Sequence, residues 1–198
     1  MKIILIIVLV IISACSYSNK NIMEKQNANL LEKRFTKTQK IVEKEIVLGE
    51  ATTDIIDQGK NRVINIDIAC AKISGIEVLP GKTFSFNETT GKKNESNGYK
   101  YAPVLIDGEK SYGIGGGVCQ VSTTIYMAVL NAGLEITEHF NHSEPVAYAA
   151  EGMDATVVFG VKDLKFRNNT DKKIYIYTWT EQEKVFAKII EKSIDIQE

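Results

Sequence analysis

Gly115-Gly116-Gly117-Val118-Cys119-Gln120-Val121-Ser122-Thr123-Thr124 joins a turn to a helix, and the chain changes character on either side of it. Three glycines remove the side chains that would crowd a substrate and permit positive φ where the turn needs it. Beyond them, Val121, Ile125, Val129 and Ala132 recur at helical spacing and stop before Gly133. The β-branched residues at 121, 123, 124 and 125 weaken the intrinsic propensity of this helix without removing its pattern. A cysteine at the start of such a helix meets unpaired backbone N–H groups and the positive end of the dipole, which favour thiolate over thiol. The nucleophile and its anion-stabilising donors then come from one element.

Upstream, Ile46-Val47-Leu48-Gly49 reads as a short strand. Residues 63–74 carry apolar side chains at 63, 64, 66, 68, 69, 71 and 73, the pattern of a largely buried helix closed by Gly75. Pro80-Gly81 marks a turn, Thr83-Phe84-Ser85-Phe86-Asn87 alternates as a half-buried strand, and the polar, Gly/Asn-rich residues 88–98 read as a loop. Downstream come β-rich runs at 155–159, 164–167 and 174–179, divided by Gly160 and by Asn168-Asn169-Thr170-Asp171. Residues 185–190 are set to pair antiparallel with the 174–179 run. Two helices early and strands late predict a compact single α+β domain with a mainly antiparallel sheet.

With 198 residues, 44% hydrophobic and 25% charged, the chain has enough apolar material for one domain with a real core. A formal net charge of −1 gives no sign of a nucleic-acid surface. Lys2 precedes an unbroken apolar run over residues 3–12, too short for a bilayer span, which needs about 20 residues, but suited to a signal peptide. Ile12-Ser13-Ala14-Cys15 resembles the lipobox of bacterial lipoproteins, in which the cysteine becomes the lipidated first residue; an uncleaved signal anchor is the competing reading. Residues 1–15 are thus expected to be a lipoprotein signal, residues 16–45 a charged tether and residues 46–198 the folded domain. Acyl chains on Cys15 would hold the protein on the extracytoplasmic face of the cell membrane. Within the tether, seven Lys/Arg against four Glu between positions 20 and 45 permit weak attraction to anionic lipid or wall polymer, although a solvated linker has the same composition.

Lipidation of Cys15 leaves Cys70 and Cys119 in a disulfide-permissive compartment. A bridge between them would be stabilising. Ile66-Asp67-Ile68-Ala69-Cys70-Ala71, however, reads as a small-residue core stretch in which a thiol behaves as a buried hydrophobe. Two histidines, His139 and His142, are all the imidazoles the chain has, so one of them must activate Cys119 if any does. On an extended segment they point to opposite faces, and only one can face the thiol. Asp154, where a turn leads into a β-rich run, could orient the ring through Nδ1, or could simply cap the turn. The Gln120 backbone N–H, with a glycine amide, offers an oxyanion hole. A metal site built from Cys119, His139, His142 and Asp154 is a weaker alternative, since the ligands are scattered and the His spacing lies off a helix.

Several ordered blocks together resemble the VanW family of bacterial cell-envelope proteins: Gly115-Gly-Gly-Val-Cys119-Gln-Val-Ser122, Asn141-His142-Ser143, Gly152-Met-Asp154-Ala-Thr-Val157 and Asp163-Leu-Lys-Phe-Arg167-Asn-Asn-Thr170. Pro80-Gly-Lys-Thr-Phe-Ser-Phe-Asn87 and residues 62–71 extend the likeness, which spans about residues 46–180. It implies an activity similar to that of cysteine L,D-transpeptidases, which form 3-3 crosslinks between peptidoglycan stem peptides. Cys119 would then be the nucleophile and His142 the general base and acid, held by Asp154 or by a backbone carbonyl. Gly116, Gly117, Gln120, Ser122, Ser143 and Arg167 are the expected substrate and oxyanion contacts. With water as acceptor the same site would be an L,D-carboxypeptidase, and a stem-cutting cysteine hydrolase differs only in the acceptor. No cofactor, metal or nucleic acid is expected. His139 stands where relatives often carry arginine, and Cys70 where they carry alanine. The alternative is a non-catalytic lipoprotein that binds peptidoglycan or glycopeptide.

Overall fold

A computed structural model describes residues 23–27, 40–106 and 109–197. Residues 44–193 form one compact unit. Of the described residues outside it, residues 23–27 form a solvent-exposed helical stretch. The lipobox Cys15 and most of the expected tether lie outside the described residues.

In chain order the elements are β1 (Lys40–Asp54), α1 (Lys60–Ile73), β2 (Ile76–Val78), β3 (Thr83–Ser85), α2 (Phe86–Thr90), β4 (Tyr101–Ile106), β5 (Glu109–Ile114) and α3 (Val118–Asn131). They are followed by β6 (Glu135–Glu138), β7 (Lys165–Arg167), β8 (Ile174–Glu181) and β9 (Lys184–Gln197). The fold is α+β. One sheet runs β1-β9-β8-β2, a second β3-β7-β6, and β4 and β5 make a separate hairpin. The pairings of β8 with β2 and with β9, and of β7 with β3 and β6, are antiparallel.

Ile66, Ala69, Cys70 and Ile73 fall on one stripe of α1 and are buried against the sheet that contains Ile174, Ile176 and Ile189. The carbonyl of Cys70, near the end of α1, accepts both the Ser74 N–H at 2.8 Å and the buried Thr178 hydroxyl at 2.9 Å, so the sheet is tied to the last turn of the helix. In α3 the residues that weaken helix propensity are buried, and their hydroxyls are all bonded. Thr124 Oγ1 donates to the Gln120 carbonyl at 2.8 Å and lies 2.8 Å from Thr53 Oγ1. Ser122 Oγ donates to the Ala155 carbonyl at 2.6 Å. Tertiary burial on both sides of α3 outweighs the few tenths of a kcal/mol per residue that β-branching costs, roughly, in a helix.

The expected helices, and the pairing of residues 174–179 with 185–190, are present. Four details differ. β1 begins at Lys40, inside the stretch expected to be tether, and is much longer than residues 46–49. The strand expected over residues 83–87 stops at Ser85, whose Oγ accepts the Glu88 N–H at 3.1 Å and caps α2. Residues 88–90 therefore complete a helix instead of opening a loop. Residues 155–157 form no strand, because their backbone groups are taken by other partners: Ala155 N–H by Thr123 Oγ1 at 2.9 Å, Thr156 N–H by the Phe140 carbonyl at 2.8 Å and Val157 N–H by the Cys119 sulfur at 3.5 Å. The β4–β5 hairpin had no counterpart among the sequence expectations.

Candidate active site

The glycine turn is fixed from two sides. Gly117 is the N-cap of α3 with φ +104°, a left-handed conformation that favours glycine. A β-carbon on Gly116 would be driven into the carbonyl oxygen of Pro103, so β4 leaves room only for hydrogen. Asn65 of α1, fully buried, completes the clamp: its Nδ2 donates to the Gly116 carbonyl at 2.9 Å and to the Lys100 carbonyl at 3.0 Å, while its Oδ1 accepts the Lys100 N–H at 2.7 Å. Cys119 is thereby held at the second position of α3, half-buried and with a free thiol.

Asp154 organises the facing loop. Its Oδ2 accepts both the backbone N–H of His142 at 2.7 Å and the ring Nδ1 at 2.6 Å, and its Oδ1 accepts Asn141 Nδ2 at 2.9 Å. Donation from Nδ1 puts the lone pair of the neutral ring on Nε2, the nitrogen left for the thiol. The two side chains are each 9% exposed, so this pair is well shielded from water. His139 does not compete for the cysteine. Its ring stacks on Tyr126 with centroids 4.0 Å apart, and its Nε2 lies 2.7 Å from the backbone carbonyl of Asp154. Both histidines thus serve one aspartate residue, His142 through the carboxylate and His139 through the main chain.

Electrostatics join the three groups. Burial by itself would push the Cys119 thiol up; hydrogen bonding from His142 and from the Val157 amide, with the imidazolium charge, overcomes it and brings the pKa below 9.0. Burial likewise opposes charge on His142, but Cys119 and Asp154 together hold its pKa above 6.5. Burial of Asp154 is outweighed by the His142 and Asn141 donors, which hold its carboxyl below 3.8. Such a set can present a thiolate beside an imidazolium. Cys70 behaves in the opposite way: burial pushes it up to about 12, as expected of an inert core thiol.

The remaining expected contacts divide. Ser143 lies beside His142 in the wall of a cavity of about 250 Å³ lined also by Glu144, Pro145, Glu151 and Asp154. Gln120 is fully buried, its side chain accepting Arg62 Nη2 at 2.7 Å and donating to Thr53 Oγ1 at 3.0 Å and the Asp54 carbonyl at 2.9 Å. Its backbone N–H is bonded to the Gly117 carbonyl at 3.0 Å, which removes it from an oxyanion hole. Ser122 is also fully buried and holds Ala155. Arg167, on β7, reaches Glu135 at 3.6 Å and the Gly81 carbonyl at 3.4 Å and is not brought to the cysteine. Among the described residues, no three His, Cys, Asp or Glu are grouped to hold a metal ion.

Sequence reasoning did not single out Thr156, Arg62, Lys93 or Tyr148. Thr156 Oγ1 lies 3.7 Å from the Cys119 sulfur, and the charge of the thiol is felt at Lys93 and Tyr148. Thr156 stands inside the Gly152–Val157 block that the sequence marks as carrying chemistry; Lys93, in a polar loop, has no such signal.

Cys119 at a glycine-capped helix start, the His142 imidazole and the buried Asp154 carboxylate thus stand on one α+β scaffold. The chain belongs to the VanW family, whose model, described as VanW like protein, matches residues 61–190. It is 41% identical over 129 residues to the uncharacterized protein YoaR of Bacillus subtilis (strain 168), covering 65% of this chain and 43% of that protein. It is 31% identical over 141 residues to the vancomycin B-type resistance protein VanW of Enterococcus faecalis (strain ATCC 700802 / V583), covering 69% of this chain and 51% of that protein. The chain therefore spans about half the length of the curated relatives it matches. No solved structure matches it.

Proposed function

We propose that this protein is a cell-envelope acyltransferase that acts on peptidoglycan stem peptides as an L,D-transpeptidase, with Cys119 as nucleophile. The observation that carries this reading is the buried Asp154 carboxylate 2.6 Å from His142 Nδ1, which leaves the other ring nitrogen for Cys119, whose thiol His142 helps to hold below its ordinary range. The VanW relative, named for vancomycin resistance, supports an envelope role.

In the first step the Cys119 thiolate attacks the carbonyl carbon of the third stem residue. A C–S bond forms, the C–N bond to the terminal D-alanine breaks, and His142 Nε2 gives its proton to the departing amine. In the second step an acceptor amine gives a proton to Nε2 and attacks the thioester, and the thiolate leaves. Water in place of the amine gives the L,D-carboxypeptidase reaction. The Cys119 N–H, at the open start of α3, is the donor for the oxyanion. A lipid on Cys15 would hold the site at the outer membrane surface, and Cys15→Ala should release the protein from the membrane fraction.

The test is incubation of the folded protein with disaccharide-tetrapeptide, followed by mass spectrometry for crosslinked dimers, released D-alanine and a thioester on Cys119. Cys119→Ala should abolish all three. Failure of the wild-type protein to give any of them with this substrate would overturn the proposal.

A further inference from the structure

Two cations stand at the glycine turn, and among the described residues neither makes an ion pair with a carboxylate. At its start, the Lys93 Cβ lies 2.8 Å from where a β-carbon on Gly115 would sit; at its end, Arg62 Cγ lies 3.0 Å from the corresponding point on Gly117. They come from different elements, Arg62 from α1 and Lys93 from the loop after α2, and converge on the three residues that lead into Cys119.

Their hydrogen bonds go to neutral amides. Lys93 Nζ donates to Asn87 Oδ1 at 2.7 Å and sits 5.4 Å from the centroid of the Phe86 ring. Arg62 Nη2 donates to Gln120 Oε1 at 2.7 Å, while its Nε is buried with no acceptor among the described residues. Elsewhere on the domain Lys165, Arg167, Lys172 and Lys173 each face a carboxylate. Cys119 and Asp163 are near enough for their charge to act on Lys93, but neither is hydrogen-bonded to its ammonium: the Asp163 oxygens accept Ser85 Oγ at 2.6 Å and the Asn87 and Leu164 amides at 2.9 Å. Burial pulls the Lys93 ammonium below 10.5, against the opposing pull of Cys119 and Asp163. A half-buried ammonium with no direct carboxylate partner among the described residues, and a guanidinium with an unused donor, fit a carboxylate brought by the substrate.

We propose that Arg62 and Lys93 form a carboxylate-binding subsite that recognises the free C-terminal carboxylate of the donor stem peptide, the one carried by the residue that leaves. This inference rests on the acyl-transfer reading of Cys119. The carboxylate of a leaving residue lies about 4 Å from the scissile carbonyl, one residue along the chain, and so falls next to the turn that positions the nucleophile. The subsite selects stems that end one residue beyond the attacked carbonyl: a longer stem places an amide where the two cations require a charge.

The experiment compares two donors, the disaccharide-tetrapeptide with its C-terminal carboxylate and the same molecule ending in a carboxamide, by the rate of thioester formation on Cys119. The wild-type protein should acylate the acid faster by about tenfold or more, the range expected for loss of a charged hydrogen-bonding partner. Lys93→Met and Arg62→Lys should each reduce that preference, lowering the rate on the acid several-fold more than the rate on the amide. Equal acylation of both donors by wild type would overturn the subsite while leaving the acyl-transfer reading intact. Acylation of neither would overturn both. An equal fall in both rates in Lys93→Met, with the wild-type preference for the acid kept, would overturn the role of Lys93 in binding, since it would place its effect on the thiolate alone. If a variant does not fold, the wild-type comparison still decides.

Discussion

Cys119 and His142 move each other's proton affinity in opposite directions, and this coupling sets the pH range in which the site can work. The thiolate is present above a pKa that lies below 9.0, and the imidazolium persists up to one that lies above 6.5. Acylation rate should therefore rise with pH through the first value and fall through the second, both being properties of the pair. A single thiol-like rise with no falling limb would argue against an imidazolium at His142. Replacing Asp154 by Asn removes the acceptor that fixes the Nδ1 tautomer, and acylation should fall by roughly 10³–10⁴, the effect known for a triad aspartate. The stability sign follows from the depressed Asp154 carboxyl. Its contribution is complete above 3.8 and is lost as pH drops through its lower folded value. Urea midpoints of wild type and Asp154→Asn should therefore differ above that range and converge below it. At this scale the sequence revealed the candidate residues by scarcity, since two histidines and one glycine-flanked cysteine leave few combinations. It did not reveal Lys93, because a lysine in a polar loop has no periodicity to mark it.

Between elements, the close approach of the glycine turn to β4 is the sharpest constraint. Gly116→Ala would force a β-carbon into the Pro103 carbonyl and should destabilise the domain by about 2–4 kcal/mol. Thermal unfolding followed by circular dichroism reads this directly. The same variant, where it folds, should acylate more slowly because the turn carries Cys119. Ser85 shows why a pattern of alternation misleads: Phe84 and Phe86 are both buried, one in the middle of a three-residue strand and the other at the start of a helix. Only the Ser85 cap, with Oγ also donating to the buried Asp163 at 2.6 Å, decides where the change occurs. The segment at 155–157 misled for a related reason. It has strand composition, but side chains of α3 take its amides before another strand can.

Across the whole molecule, Asn65 ties α1 to both ends of the β4–β5 segment and so to the turn before Cys119. Asn65→Leu leaves the Gly116 carbonyl and both Lys100 backbone groups without this partner and should cost about 2–4 kcal/mol. Guanidinium titration would show a lower midpoint, and an unchanged one would show that the clamp is dispensable. Within its own span the sequence determined the two long helices, the late antiparallel pair, the family and the three chemical candidates. Each of these depends on local period, turn chemistry or rare residue types, all of which are properties of neighbours along the chain. Tertiary structure alone decided that Asp154 holds His142, that His139 steadies the Asp154 backbone, and that Gln120 and Ser122 face the core. It alone brought Arg62 and Lys93 to one turn. These depend on contacts between residues tens of positions apart, and such contacts are set when apolar faces close on one another and buried polar groups find partners.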